Sequence, residues 1–210
     1  MDFEKWIDEK VKDQKVLEVG GVGDYEKYFK NNFIKWRHNR LKSIAREIVG
    51  GDIEKNGIAF VNKNGFDYRY FNIEDTNISD ETGKFDRILL LDVIEHLNNI
   101  GNGLENIKNY MHKDTEFIIS TPNPMSFNNI VRTLFGKKLN TLEDHTVWMD
   151  ESNFKQFAKR YGYVISEVHY FTFNPKGSLK QFIVNIFGNF NKYFHQNFVV
   201  VLKKVVNKHD

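Results

Sequence analysis

The chain has 210 residues, enough for one domain with a full hydrophobic core and too few for two ordinary ones. Hydrophobic residues make up 40% and charged residues 28%, a globular balance, and a net charge of +2 excludes the broad basic field of a typical nucleic-acid binder. With no cysteine there is no disulfide, no thiolate metal site and no cysteine nucleophile.

The opening MDFEKWIDEK reads as an amphipathic helix over residues 1–14 rather than a signal peptide, with Phe3, Trp6, Ile7 and Val11 near one face. No apolar stretch approaches the ~20 residues of a membrane span, so the expected location is cytoplasmic. Strand one follows at Lys15–Val19, then a glycine turn and a helix beginning near Tyr25. A second strand ends at Gly51 and Asp52, EKNGIAFVNKNG is a short helix, and FDYRYFNI alternates as strand three. KFDRILLLD is apolar between charges, as a central parallel strand should be. Val93–Met111 reads as helix weakened at Gly101 and Gly103, and TEFIIST as strand five, closed by the loop PNP. A helix over Ser152–Tyr161 is capped by Gly162, and YVISEVHYF and NFVVVLKKV supply two last strands able to pair antiparallel at one edge. The pattern predicts one domain over residues 1–210: a doubly wound, Rossmann-like α/β fold with a seven-stranded, mostly parallel sheet, an antiparallel edge strand and helices on both faces. Residues 122–150 and 172–196 are expected as substrate-side loop and helix insertions.

The turn in KVLEVGGVGDY poses the functional question. Gly21 and Gly23 form G-x-G, but Glu26 stands where a dinucleotide loop needs its third small residue. In an open α/β sheet ligands sit beyond the carboxyl ends of the strands, and Glu18, Gly20, Gly23, Asp52 and Asp92 all fall at such ends. Asp52 is placed to accept ribose hydroxyls. An acid inside the end of strand one repels a pyrophosphate and suits a ligand carrying ammonium or sulfonium. S-adenosylmethionine has both charges, a ribose and an adenine, and no phosphate.

VLEVGGVGDY resembles the first motif of class I S-adenosylmethionine-dependent methyltransferases, acid-x-Gly-x-Gly-x-Gly. IVGGDI resembles their second motif, FDRILLLDVIEHL the fourth strand of the subgroup that includes ubiquinone-biosynthesis O-methyltransferases, and FIISTPNP their fifth strand and loop. EDHTVWMDESNFKQFAKRYGYVISEV is similar to the segment that follows. The resemblance runs from about Lys15 to Lys204 and implies S-adenosylmethionine as cofactor, S-adenosylhomocysteine as product, and a pocket of Glu18, Gly20, Gly21, Gly23, Asp52, Ile53, Asn72, Ile73 and Asp92. The chain departs from the motif at Val22 and Asp24, which replace its second and third glycines, at Asn72, which replaces a frequent Asp, and in the basic, aromatic insert NNFIKWRHNRLKS.

Asp92 is also expected to cap a helix starting at Val93, with Glu95 and His96 in its first turn. His145, in LEDHTVW, lies where this fold usually places substrate and is the expected general base, with His96 second. Glu143 and Asp144 flank His145 and could orient it or hold a metal with it. No further His or Asp stands nearby in sequence, so no metal is expected. Trp36 is expected in the core or over the methionine end of the cofactor. Arg37, Arg40, Lys42 and Arg46 are expected as a solvated helix face or an attraction for an acidic acceptor. Leu179, Phe182, Ile183, Ile186, Phe187 and Phe190 form a helical stripe that fits a core or lid, a dimer surface, or a shallow membrane contact.

The expected activity is methyl transfer to a small-molecule or glycan- or lipid-linked hydroxyl. The alternatives are an amine- or carboxylate-directed enzyme and a non-catalytic, partner-binding relative. A nucleic-acid acceptor is disfavoured because no Asn/Asp-Pro-Pro-Tyr motif follows strand four and the charge is near neutral.

Overall fold

A computed structural model describes residues 1–23, 25–30, 32–75, 83–173 and 186–205. Seven strands, β1 (Lys15–Val19), β2 (Glu47–Asp52), β3 (Tyr68–Tyr70), β4 (Phe85–Leu91), β5 (Met111–Pro122), β6 (Tyr163–Phe171) and β7 (Asn197–Lys204), form one sheet in the order β3-β2-β1-β4-β5-β7-β6. β1 pairs in parallel with both β2 and β4, so the strand order reverses there and opens a crevice beyond their carboxyl ends. β7 runs antiparallel between β5 and β6, the mixed edge that the sequence predicts.

Alternation along the strands divides the core. On one face Leu17, Ile88, Leu90, Phe117, Ile119, Val200 and Leu202 meet α5 (Ile100–Ile107) and α7 (Glu151–Arg160) through Leu104, Ile107, Phe154 and Ala158. On the other, Val16, Leu89, Leu91, Ile118, Val199 and Val201 meet α1 (Phe3–Val11). That helix starts at Asp2, whose carboxylate accepts from the Lys5 N–H, and its Phe3, Ile7 and Val11 face the sheet. Phe3 stacks on Phe171 at 4.0 Å. Each of these three side chains contributes about 1.5–3 kcal/mol by leaving water.

Three expectations need correction. The stretch from Val93 to Met111 is not one helix. Ile94–His96 is a single 3₁₀ turn, α5 starts only after Asn99 accepts from the Asn102 N–H, and Met111 already belongs to β5. The break therefore lies before the glycines; Gly103 sits inside α5, close against Leu97 and Ile73. Asp92 caps no helix: it adopts φ +57° and its carboxylate accepts from the Ser120 hydroxyl at 2.9 Å. Strand three is short because Asn72 turns the chain, its side-chain oxygen accepting from the Glu74 N–H at 3.0 Å.

Within the expected loop 122–150 lies a further helix, α6 (Phe127–Leu134). Its apolar residues Phe127, Ile130, Val131 and Leu134 have helical spacing, yet its buried member is Asn129. Of the late stripe, Leu179, Phe182 and Ile183 lie outside the described residues, while Ile186, Phe187 and Phe190 are exposed.

β2 passes beneath the Tyr68 ring with no room to spare. A Cβ on Gly50 would stand 2.2 Å from that buried ring. Gly50→Ala should therefore cost about 1–3 kcal/mol, read as a lowered urea midpoint with an unchanged slope.

Candidate active site

The glycine turn closes over a buried carboxylate. Glu18, at the end of β1, is 1% exposed, and its oxygens accept from Arg37 Nε at 3.0 Å and from the Tyr68 hydroxyl at 3.2 Å. One of them also lies 2.8 Å from His38 Nδ1. Burial alone would push this carboxyl up. The His38 hydrogen bond and the charges of Arg37 and His38 outweigh it, holding Glu18 down from 4.5 to about 2. Arg37 and His38 come from the insert, where α3 (Arg37–Lys42) begins, and Tyr68 from β3. Trp36, 2% exposed, packs with Phe33 and Tyr68 and donates its indole N–H to the Gly21 carbonyl at 2.8 Å. His38 Nε2 is buried without a hydrogen-bond partner among the described residues.

The expected basic patch does not stand free. Arg37 holds Glu18, Arg40 pairs with Glu4 and Asp8, Lys42 donates to the Gly65 carbonyl, and Arg46 pairs with Asp86. Arg37 is the residue whose position the sequence misses. Its guanidinium, held charged against burial by Glu18 and Asp92, lies at the end of β1 against Glu18 with a quarter of its side chain exposed. An apolar pattern broken by Trp-Arg-His at the start of a helix was the available signal.

Asp52 clamps the same loop, its two oxygens accepting from the Val22 and Glu54 N–H groups, both at 3.0 Å. Val22 turns its fully buried side chain against Gly57, whose added Cβ would lie 2.3 Å from it. The motif's second glycine is thus replaced by a residue whose side chain points into the core. The left-handed conformation falls to Gly20, at φ +78°, while a Cβ on Gly21 would strike the Tyr68 hydroxyl and Glu18. Gly23 is exposed at φ +51°, and Asp24 lies outside the described residues. Ile53 is 63% exposed beside Asp52. Ile73 is taken into the core, and its carbonyl accepts from the Asn106 amide at 2.7 Å.

Beyond β4 the loops after β4 and β5 meet. Thr146 staples them: its N–H donates to the Glu95 carbonyl at 2.9 Å and its hydroxyl reaches the Glu95 and Leu97 carbonyls. This sets the His145 ring edge-on to His96, with centroids 4.7 Å apart. His96 Nδ1 lies 3.3 Å from an Asp144 carboxylate oxygen. Glu95, 2% exposed, accepts from the Thr121 hydroxyl at 3.0 Å. Burial, aided by the charges of Asp92 and Asp144, pushes its carboxyl up to about 7. Burial and the neighbouring His96 push His145 down. Sequence reasoning names Glu95 and both histidines, but not the meeting of His145 with the other two. His145 lines a cavity of ≈340 Å³ together with Asn128, Asn140, Thr141, Trp148 and Asn197. The exposed apolar side chain of Leu142 also lines it.

The Glu18 network makes a pH prediction. A carboxyl with a lowered folded pKa stabilises the fold above about pH 4.5 and loses that contribution as pH falls towards 2. Glu18→Gln should be less stable at neutral pH by roughly 3 kcal/mol. In urea titrations at a series of pH values, the gap between the two proteins should shrink through that window.

A family model described as a methyltransferase domain matches residues 4–168. No curated protein matches the chain. Among solved structures, it is similar to a SAM-dependent methyltransferase from Archaeoglobus fulgidus, with 16% identity, 96% of this chain and 91% of that one covered, and a TM-score of 0.60. A putative methyltransferase from Bacillus halodurans gives 13% identity, coverage of 97% and 98%, and a TM-score of 0.62. The magnesium protoporphyrin IX methyltransferase of Synechocystis, with bound SAH, gives 13%, coverage of 96% and 80%, and 0.59. The match across most of the domain, on a sheet of this strand order, places the chain in the methyltransferase-domain family of S-adenosylmethionine-dependent enzymes.

Proposed function

We propose that this protein is an O-methyltransferase whose acceptor is a hydroxyl on a glycan-like or lipid-linked molecule. The observation that carries the reading is the cavity at His145: its wall is rich in side-chain amides and includes the exposed side chain of Leu142. Amides and a threonine hydroxyl suit a polyhydroxylated head group, which both donates and accepts. Leu142 suits an apolar chain attached to that head group.

The crevice residues fit the donor. The Asp52 oxygens, each with one backbone partner, retain lone pairs for the ribose hydroxyls, and Ile53 offers an apolar surface to the adenine. Arg37, a quarter exposed beside Glu18, suits the carboxylate of the methionine part, and Gly20 gives the turn a left-handed conformation that a side chain would strain. Glu18 contributes indirectly, by fixing Arg37 and the floor of the loop. S-adenosylmethionine, when bound, supplies an electrophilic methyl group on a sulfonium.

The chain must then align the acceptor oxygen and draw off its proton. Asp92 follows β4 four residues before His96, and His96 faces His145 in the cavity wall, which supports a reading with acceptor and donor side by side. Imidazole nitrogens at that junction stabilise loss of the hydroxyl proton.

Calorimetric titration with S-adenosylhomocysteine should give micromolar binding, weakened at least tenfold in Asp52→Ala. Absence of binding by the intact chain would favour the partner-binding alternative. In an acceptor screen, turnover of sugars or lipid-linked sugars is expected, and turnover of amines alone would overturn hydroxyl transfer. With an acceptor in hand, His145→Ala should lower kcat by about 10²-fold or more while leaving the KM for the donor unchanged.

A further inference from the structure

We infer that Glu95, His96 and His145 form a binding site for a divalent transition-metal cation at the mouth of the acceptor cavity. The inference rests on the acceptor site proposed above and gives its histidines a shared task. One donor atom from each residue lies within 4.8 Å of the others. In a tetrahedral zinc site, ligand atoms stand roughly 3.4 Å apart, so modest side-chain rotation closes this cluster onto an ion.

Three further observations point the same way. His145 Nδ1 is shut away from solvent and has no hydrogen-bond partner among the described residues, an unmatched polar atom in a cluster of potential ligands. His96 Nδ1 faces Asp144, within 3.3 Å of its carboxylate and of its backbone carbonyl. A carboxylate behind one ring nitrogen fixes the tautomer and turns the other nitrogen outward as a lone-pair donor, the usual support of a metal-bound histidine. Thr121 does the same for Glu95, holding one carboxylate oxygen by its hydroxyl. The staple through Thr146 then locks the two ligand-bearing loops together.

The donor set chooses the ion. Two imidazoles and a carboxylate suit zinc, manganese, cobalt or iron(II) rather than calcium or magnesium, which prefer all-oxygen shells. Three protein ligands leave room for others, as catalytic metal sites require. His145 also lines the acceptor cavity, so a hydroxyl entering there meets the cation. A divalent charge lowers the pKa of such a hydroxyl at neutral pH, a stronger effect than a lone imidazole supplies.

The test needs no acceptor. The full-length chain, stripped with chelator, is dialysed against Zn²⁺, Mn²⁺ or Co²⁺ alone, and bound metal is counted by mass spectrometry and followed by calorimetry. One equivalent per chain of at least one of these ions is expected, at micromolar affinity or tighter, with cobalt giving a visible d–d spectrum. Glu95→Gln and His145→Asn should each weaken uptake at least tenfold. Both variants should bind S-adenosylhomocysteine as the parent does, which shows that they fold. Failure of all three ions to bind at 100-fold excess, or binding that persists unweakened in both variants, would overturn the site. Either result leaves the donor titration untouched, so a failed metal site and a failed methyltransferase reading are told apart.

Discussion

A carboxylate removed from water must be matched by charge and hydrogen bonds, and at Glu18 that demand organises the cofactor end of the sheet. Its partners arrive from separate parts of the chain: Arg37 and His38 from the insert, and Tyr68 from β3. The insert is anchored as a consequence, and with it Trp36, which holds the Gly21 carbonyl. Tyr68 in turn requires Gly50 beneath its ring. Removing any one partner leaves the others buried with an unmatched group, which is why this corner behaves as a unit rather than as a set of separate bonds.

Much of the fold was legible because the sheet writes itself plainly. The run from Ile88 to Leu91 is apolar on both faces, and Asn197–Lys204 carries Val199 and Val201 to one face and Val200 and Leu202 to the other. The failures have specific causes. Asp92 takes a left-handed conformation that interrupts the pattern after β4, so a helix read through Val93 begins seven residues late. α6 has the right spacing at Phe127, Ile130, Val131 and Leu134, but the proline pair before it reads as loop, and its buried residue is an asparagine.

The site divides in the same way. Features set by the backbone path at one strand end, such as the left-handed Gly20 and the Asp52 clamp on the loop, can be found from spacing. Residues that act by meeting across the fold cannot. His96 and His145 are far apart in sequence and adjacent in space because Thr146 bonds to the carbonyls of Glu95 and Leu97. Glu18 makes the same point: its acidity suits a cationic partner, and the structure pairs it with Arg37, which nothing in the spacing announces. Acid type and position were visible in the sequence, and the partner was not.

The hydrogen bond from Trp36 to Gly21 has a consequence for association. A glycine-rich turn on its own samples many conformations, and a ligand must select one of them at an entropic cost. Here the turn is held from one side by a buried indole and from the other by Asp52 on Val22. The cost of ordering it is met when the chain folds, so the crevice is preorganised, and a ligand that fits it enters a site already shaped.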